Sequence, residues 1–127
     1  MTISQKIAQC NPDGKLQLSP EVFEDISQQI QIDMESIKDG EEKMQMYLNY
    51  ADYCTRMYMD KDALHYYILI LEENIFKDTI PMKIKEIMGK AYDGLKCLLY
   101  SNDEYVWESA TNIIDRYEYL FKENDVI

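Results

Sequence analysis

The chain has 127 residues, of which 46% are hydrophobic and 29% charged, a composition typical of one folded globular domain. Its formal net charge is −11 at pH 7, and a surface this acidic repels both a nucleic-acid backbone and an anionic membrane. No apolar run approaches the roughly 20 residues of a membrane span, and the N-terminus MTISQKIAQC lacks the apolar core of a signal peptide.

Three segments are expected along the chain. Residues 1 to 18 are predicted to form an N-terminal arm, loosely ordered or docked, because Asn11-Pro12-Asp13-Gly14 suits a type I turn. Residues 19 to 122 are predicted to form a single helical domain. Residues 123 to 127 are predicted to form a C-terminal tail.

The first predicted helix begins at Ser19-Pro20-Glu21. There Ser supplies an N-cap, Pro fits the first helical position and Glu complements the helix dipole. Apolar residues follow at helical spacing, namely Val22, Phe23, Ile26, Ile30, Met34 and Ile37. Asp39-Gly40 is expected to end the segment.

A second helix is predicted from about Glu41 to Tyr58. One apolar stripe contains Tyr47, Tyr50, Ala51, Cys54 and Tyr58, and an overlapping stripe contains Met46, Tyr50, Tyr53 and Met57. An apolar arc this wide predicts contact with two neighbouring helices, or with one neighbour and a partner.

The run Tyr66 to Leu71, YYILIL, has the composition of a buried strand. Apolar positions nevertheless continue from Ala63 to Ile75 at helical spacing, well beyond the roughly 4 to 8 residues of a typical strand. Asp60 suits an N-cap, and no hairpin turn flanks the run. We therefore predict a third helix at the centre of the core.

Two more helices complete the predicted fold. The fourth begins near Thr79-Ile80-Pro81 and ends at Ser101-Asn102, and Gly89 and Gly94 inside it predict close approach of another helix. Asp103 is the expected N-cap of the fifth. Its predicted inner side consists of Val106, Trp107, Ala110, Ile113, Ile114, Tyr117, Leu120 and Phe121. The connections are short, so the fold class is all-α, with about five antiparallel helices.

Tyr47, Tyr50-Ala51, Ala63 and Tyr67 place large and small residues where two paired helices would approach closely. In this pattern residues 44 to 75 resemble a single tetratricopeptide-type (TPR-like) helical hairpin. The resemblance implies a short helical-repeat domain. Ile70 stands where that family prefers a small residue, and an ordinary helical bundle remains the alternative.

The same resemblance implies that ligand-facing positions would fall on Gln45, Leu48, Asp52 and Thr55. Some members of the family use basic residues there to hold the terminal carboxylate of a peptide. None of these four residues is basic, so binding of chaperone C-terminal tails is not implied.

Groups that could carry catalysis are scarce, and we expect no enzyme activity, no cofactor and no metal. His65 is the sole histidine, which excludes HExxH zinc sites and helical di-iron pairs. It lies on the polar edge of its predicted helix and is expected to be solvated. No glycine-rich phosphate loop occurs among the four glycines.

The three cysteines, Cys10, Cys54 and Cys97, are widely spaced, odd in number and without CxxC spacing. This usage fits a reducing, cytoplasmic location better than a disulfide scaffold. Cys54 and Cys97 fall on apolar faces and are predicted to fill the core. Cys10 is expected to be more exposed.

Eleven tyrosines and eight methionines are the most unusual feature of the composition, since both residue types are common at protein interfaces. The tyrosines predicted to fill the core are Tyr47, Tyr50, Tyr67, Tyr92 and Tyr117. The residues predicted to form a partner-contact surface are Met46, Tyr53, Met57, Tyr66, Tyr105 and Tyr119.

These observations favour a non-catalytic, acidic interaction domain that acts as an adaptor or small subunit of an intracellular assembly. Its expected partner is another protein, either a basic one or a second copy of the chain. The alternative is a stand-alone acidic inhibitor, of the immunity type or a nucleic-acid mimic. A small-molecule pocket inside the bundle is a third hypothesis.

Overall fold

The computed structural model of the chain describes residues 25, 28–30, 32, 35–37 and 40–127. Within these residues every regular element is helical, with no strand, so the all-α prediction is confirmed. The predicted arm, its turn, Cys10 and most of the first predicted helix lie outside the described residues. Seven described positions between 25 and 36 are helical, and Ile30 among them is fully buried.

Four complete helices follow along the chain. Helix α1 spans Gly40–Arg56, α2 spans Asp60–Asn74, α3 spans Met82–Leu98 and α4 spans Glu104–Glu123. Helices α2 and α3 each contact the three others, and α1 and α2 share the most extensive contact. The predicted starts agree to within a residue or two, although Met59 rather than Asp60 occupies the N-cap of α2.

The strand-like run 66–71 lies inside α2, as its flanking residues predicted. Tyr67, Ile70 and Leu71 are buried, whereas the intervening Ile68 and Leu69 are only partly buried. This alternation follows the helical period. Burial of one continuous helical face therefore outweighs the β-propensity of the individual residues.

Helix α4 begins and ends with well-formed caps. The carboxylate of Asp103 accepts a hydrogen bond from the backbone N–H of Tyr105 at 3.0 Å, which confirms the predicted N-cap. At the other end Asp125 has a φ of 59°, and the N–H of Val126 donates to the carbonyl of Phe121 at 2.8 Å. This arrangement is a Schellman motif, which satisfies the last helix carbonyls.

The same motif ends α1. Tyr58 has a φ of 59°, and the N–H of Met59 donates to the carbonyl of Cys54 at 2.8 Å. The helix therefore stops at Arg56, and Tyr58 is 79% exposed. Its predicted place on a buried stripe is wrong, because the left-handed residue turns the chain away from the helical face.

The close helix approach predicted at the two glycines of α3 is present at Gly94, whereas the neighbour of Gly89 is a residue beyond the end of α4. A Cβ at Gly89 would lie 3.1 Å from the carbonyl oxygen of Val126, and the ring of Tyr67 lies directly against Gly94. Val126 itself is buried in the core. Residues 124 to 127, beyond α4, thus fold back onto α3.

The buried face of α4 contains Val106, Ala110, Ile113, Tyr117 and Phe121. Trp107 lies one residue off this face and is exposed, so its predicted inward position is wrong. All five tyrosines predicted to fill the core are buried, which confirms that prediction.

Candidate functional site

The six residues predicted to contact a partner do not form one exposed patch. Tyr53 is 0% exposed and its ring stacks against Tyr50, with the centroids 6.3 Å apart. Its predicted position on the surface is therefore wrong. Because α1 packs against both α2 and α3, little of its wide apolar arc faces solvent.

Three of the other predicted contact residues are partly buried. Met46, Met57 and Tyr66 pack against the core cluster, and the ring of Tyr66 lies 4.9 Å from that of Tyr50. His65 is exposed as predicted. The contribution of Met46, Met57 and Tyr66 to partner binding stays a prediction.

Tyr105 and Tyr119 are both 61% exposed and belong to α4. Only Tyr105 lies at the end of the bundle where the α1–α2 and α3–α4 connections meet. Tyr58, which is 79% exposed, and Tyr100, which is 89% exposed, belong to these two connections. We call the surface formed by Tyr58, Tyr100 and Tyr105 the tyrosine end.

The two connections are joined by polar contacts. The hydroxyl of Ser101 donates to the carboxylate of Asp60 at 2.6 Å. The Lys61 Nζ atom lies 3.8 Å from a carboxylate oxygen of Asp103 and 5.8 Å from the centroid of the Tyr105 ring. These contacts hold the start of α2 against the start of α4, so the tyrosine end is a defined surface.

A cleft of about 520 Å³ lies between the connections and is lined by Tyr58, Met59, Asp60, Lys61, Asp62, Asn102 and Asp103. Three carboxylates and one lysine give this lining a negative charge. The tyrosine end is therefore aromatic with an acidic rim.

Tyr58 is the residue of this surface that is hardest to explain by stability. A non-glycine residue in the left-handed region costs about 1 kcal/mol or more, and helices usually place glycine there. The exposed ring of Tyr58 recovers little of that cost through burial. The conformation of Tyr58 is therefore not explained by a contribution to stability.

A second cleft, of about 380 Å³, lies where α1, α2 and α3 meet. We call it the α1–α3 cleft, and its lining consists of Asp52, Thr55, Arg56, Tyr67, Lys90, Asp93, Gly94 and Cys97. The TPR-like resemblance implied ligand-facing positions at two of these residues, Asp52 and Thr55. Leu48, another of the implied positions, is buried in the core.

Asp52 is the polar centre of the α1–α3 cleft. The hydroxyl of Tyr67 donates to its carboxylate at 2.6 Å and lies 3.3 Å from the Thr55 hydroxyl. Burial raises the pKa of Asp52, against the opposing effects of the Tyr67 hydrogen bond and of Arg56 and Lys90. Neighbouring groups thus only partly compensate the desolvation of this carboxylate.

The two described cysteines differ in environment. Cys54 is fully buried, as predicted, and burial raises the pKa of its thiol to about 12. Cys97 is exposed in the α1–α3 cleft, so its predicted role as a core residue is wrong. The apolar face of α3 passes through Leu95 and Leu98 instead, because those positions face the neighbouring helices.

In the part of the chain that the structure describes, no three His, Cys, Asp or Glu side chains are placed to share a metal ion. None of the helices described there combines the length and apolar character needed to cross a membrane.

No protein-family model, curated protein or solved structure matches the chain. The similarity of residues 44 to 75 to a tetratricopeptide hairpin therefore rests on their pattern of large and small residues alone.

The two most exposed residues of the tyrosine end, Tyr58 and Tyr100, were not among the predicted contact residues. The sequence could have indicated that Tyr100 lies at the end of a helix, because Ser101-Asn102 directly after it is typical of a helix end. No such indication exists for Tyr58, because no glycine or asparagine marks the end of α1.

Proposed function

We propose that this chain is a non-catalytic protein-interaction domain that docks a protein partner on its tyrosine end, as an adaptor or small subunit of an intracellular assembly. The observation that carries the proposal is Tyr58, which is 79% exposed at a φ of 59°. Glycine at this position would relieve the strain, so a tyrosine there is better explained by what its ring contacts in a complex.

The chemistry of the surface supports this role. Tyrosine combines a large apolar ring with a hydroxyl, loses little conformational entropy on binding and is common among residues that dominate binding energy. Tyr58 and Tyr100 belong to two connections that are tied together, and Tyr105 lies in the first turn of α4 beside them.

The acidic rim favours a basic partner. Asp60, Asp62 and Asp103 border the cleft beside Tyr58, and the whole chain carries a net charge of −11. Such charges accelerate encounter with a basic surface and orient it more than they raise affinity. The aromatic residues would supply most of the affinity.

The proposal is tested by capturing partners from the native host with the wild-type chain and with the triple variant Tyr58→Gly/Tyr100→Ser/Tyr105→Ser. Quantitative mass spectrometry should show a specific partner whose recovery falls at least about tenfold, since buried tyrosines each contribute roughly 1 kcal/mol or more. Tyr119→Ser removes an equally exposed tyrosine of α4 and should retain the partner. Equal recovery with the wild type and the triple variant would refute docking at this end.

The net charge of −11 also favours the second candidate, an acidic inhibitor that binds its target mainly through charge. The affinity of such a complex should fall steeply between about 0.05 and 0.5 M salt, because screening weakens exposed charge pairs. Binding through the tyrosine end should change little over the same range. Calorimetry of the captured complex at several salt concentrations separates the two functions.

A further inference from the structure

The α1–α3 cleft has a chemistry different from that of the tyrosine end and shares no lining residue with it. We propose that this cleft binds a small zwitterion, an amino acid or a dipeptide, with the ligand's ammonium group at Asp52 and its carboxylate at Arg56 and Lys90. The proposal is independent of protein docking at the tyrosine end.

The position of Asp52 accounts for the ammonium group. One of its carboxylate oxygens accepts the hydroxyl hydrogen of Tyr67 at 2.6 Å, which holds the side chain at the junction of α1, α2 and α3. Among the described residues no cation lies within ion-pair distance of Asp52. A half-buried carboxylate with spare acceptor capacity suits the three hydrogens of an ammonium group.

The two cations of the cleft account for the ligand's carboxylate. Arg56 follows Asp52 by one turn of α1, and Lys90 belongs to α3 across the cleft. Both are close enough to lower the pKa of Asp52, so a purely cationic ligand would be repelled by them. A purely anionic ligand would meet Asp52 and Asp93, and only a ligand with both charges satisfies both sets of groups.

The α1–α3 cleft is an open groove of modest volume. Its volume of about 380 Å³ lies at the low end of the range for small-molecule sites. Gly94 has no side chain that could project into the groove, and the ring of Tyr67 lies against it. An amino acid or a dipeptide fits this volume, with Thr55 and Cys97 beside its uncharged part.

The test uses the full-length chain labelled with ¹⁵N and titrated with pools of the proteinogenic amino acids and with glycyl-leucine, up to roughly 10 mM, about ten times a Kd of about 1 mM. We expect at least one of these zwitterions to shift the amide resonances of Asp52, Thr55, Lys90 and Gly94. The N-acetyl and C-terminal amide derivatives of the compound that binds each lack one charge and should bind at least about tenfold more weakly.

Two variants check the assigned contacts. Asp52→Asn and Lys90→Gln should each weaken binding about tenfold, whereas Lys83→Gln, an exposed cation of α3 outside the cleft, should not. Circular dichroism verifies that each variant is folded. The tyrosine-end triple variant should bind the zwitterion as the wild type does. Absence of any shift in the cleft, or derivatives that bind as well as the parent compound, would overturn the proposal.

Discussion

The ring of Tyr67 on α2 lies so close to Gly94 on α3 that a Cβ at position 94 would be 2.6 and 2.7 Å from two ring carbons. The hydroxyl of the same tyrosine donates to Asp52 of α1 at 2.6 Å. Tyr67 thus connects three helices. Its ring can take this position only because residue 94 is a glycine and has no side chain.

Substituting Gly94 with alanine should destabilise the chain. The Tyr67 ring is buried and hydrogen-bonded, so it cannot move aside easily, and overpacking of this kind costs about 1–3 kcal/mol. The better helix propensity of alanine returns about 1 kcal/mol at most. Urea unfolding monitored by circular dichroism measures the difference.

Gly40→Ala is the matched control for this prediction. Gly40 begins α1, and a Cβ there would meet nothing within 4 Å, so this variant should be neutral or slightly stabilised. If Gly94→Ala unfolds at the same urea concentration as Gly40→Ala, the close contact with Tyr67 is not present in solution.

Substituting Tyr58 with glycine should stabilise the isolated chain by about 0.5–1 kcal/mol, because glycine adopts the left-handed conformation without strain. Tyr58→Ala keeps the Cβ and removes the ring, so the difference between the two variants isolates the backbone effect. Asp125→Gly should gain less, since aspartate tolerates a φ of 59° better than tyrosine does. Equal melting temperatures for Tyr58→Ala and Tyr58→Gly would argue against strain at this residue.

Asp52 should make stability depend on pH. Because burial raises the pKa of Asp52 in the folded state, the folded chain holds this proton more tightly than the unfolded chain does. The associated stability is present below the ordinary value of about 4 and is lost as the pH rises through the folded pKa.

Asp52→Asn removes this titration and can still accept the Tyr67 hydrogen bond. Its melting temperature should therefore rise relative to that of the wild type as the pH increases above about 4. Asp93→Asn, in the same cleft but exposed, controls for the loss of one negative charge. A wild-type curve parallel to that of Asp52→Asn would contradict the effect of burial.

The two described cysteines should react at very different rates. In a Cys10→Ser background, Cys97 should react with a thiol reagent in the native chain because it is exposed. Cys54 should react only after unfolding, since it is fully buried and the pKa of its thiol is raised to about 12. Mass spectrometry of the labelled peptides identifies the modified residue. Rapid labelling of Cys54 would indicate that the core opens readily.

The sequence alone determined the four complete helices and most of the core of residues 40–127. The cap at Asp103, the helical spacing through α2 and the glycines of α3 are local signals, and local backbone energetics follow them closely. The strand-like composition of residues 66 to 71 did not mislead, because the spacing of apolar residues continued beyond any strand.

Only the tertiary structure decided that Tyr53 is buried and that Tyr58 faces solvent. Tyr53 and Tyr58 belong to overlapping stripes of one apolar arc, yet the first is buried and the second is exposed. Spacing along a helix specifies which residues share a face, whereas burial depends on which neighbours cover that face and on where the backbone turns away. The neighbours that cover a face are set by contacts between segments distant in sequence, and the same contacts bring Tyr58 and Asp103 to one cleft and Asp52 and Lys90 to another.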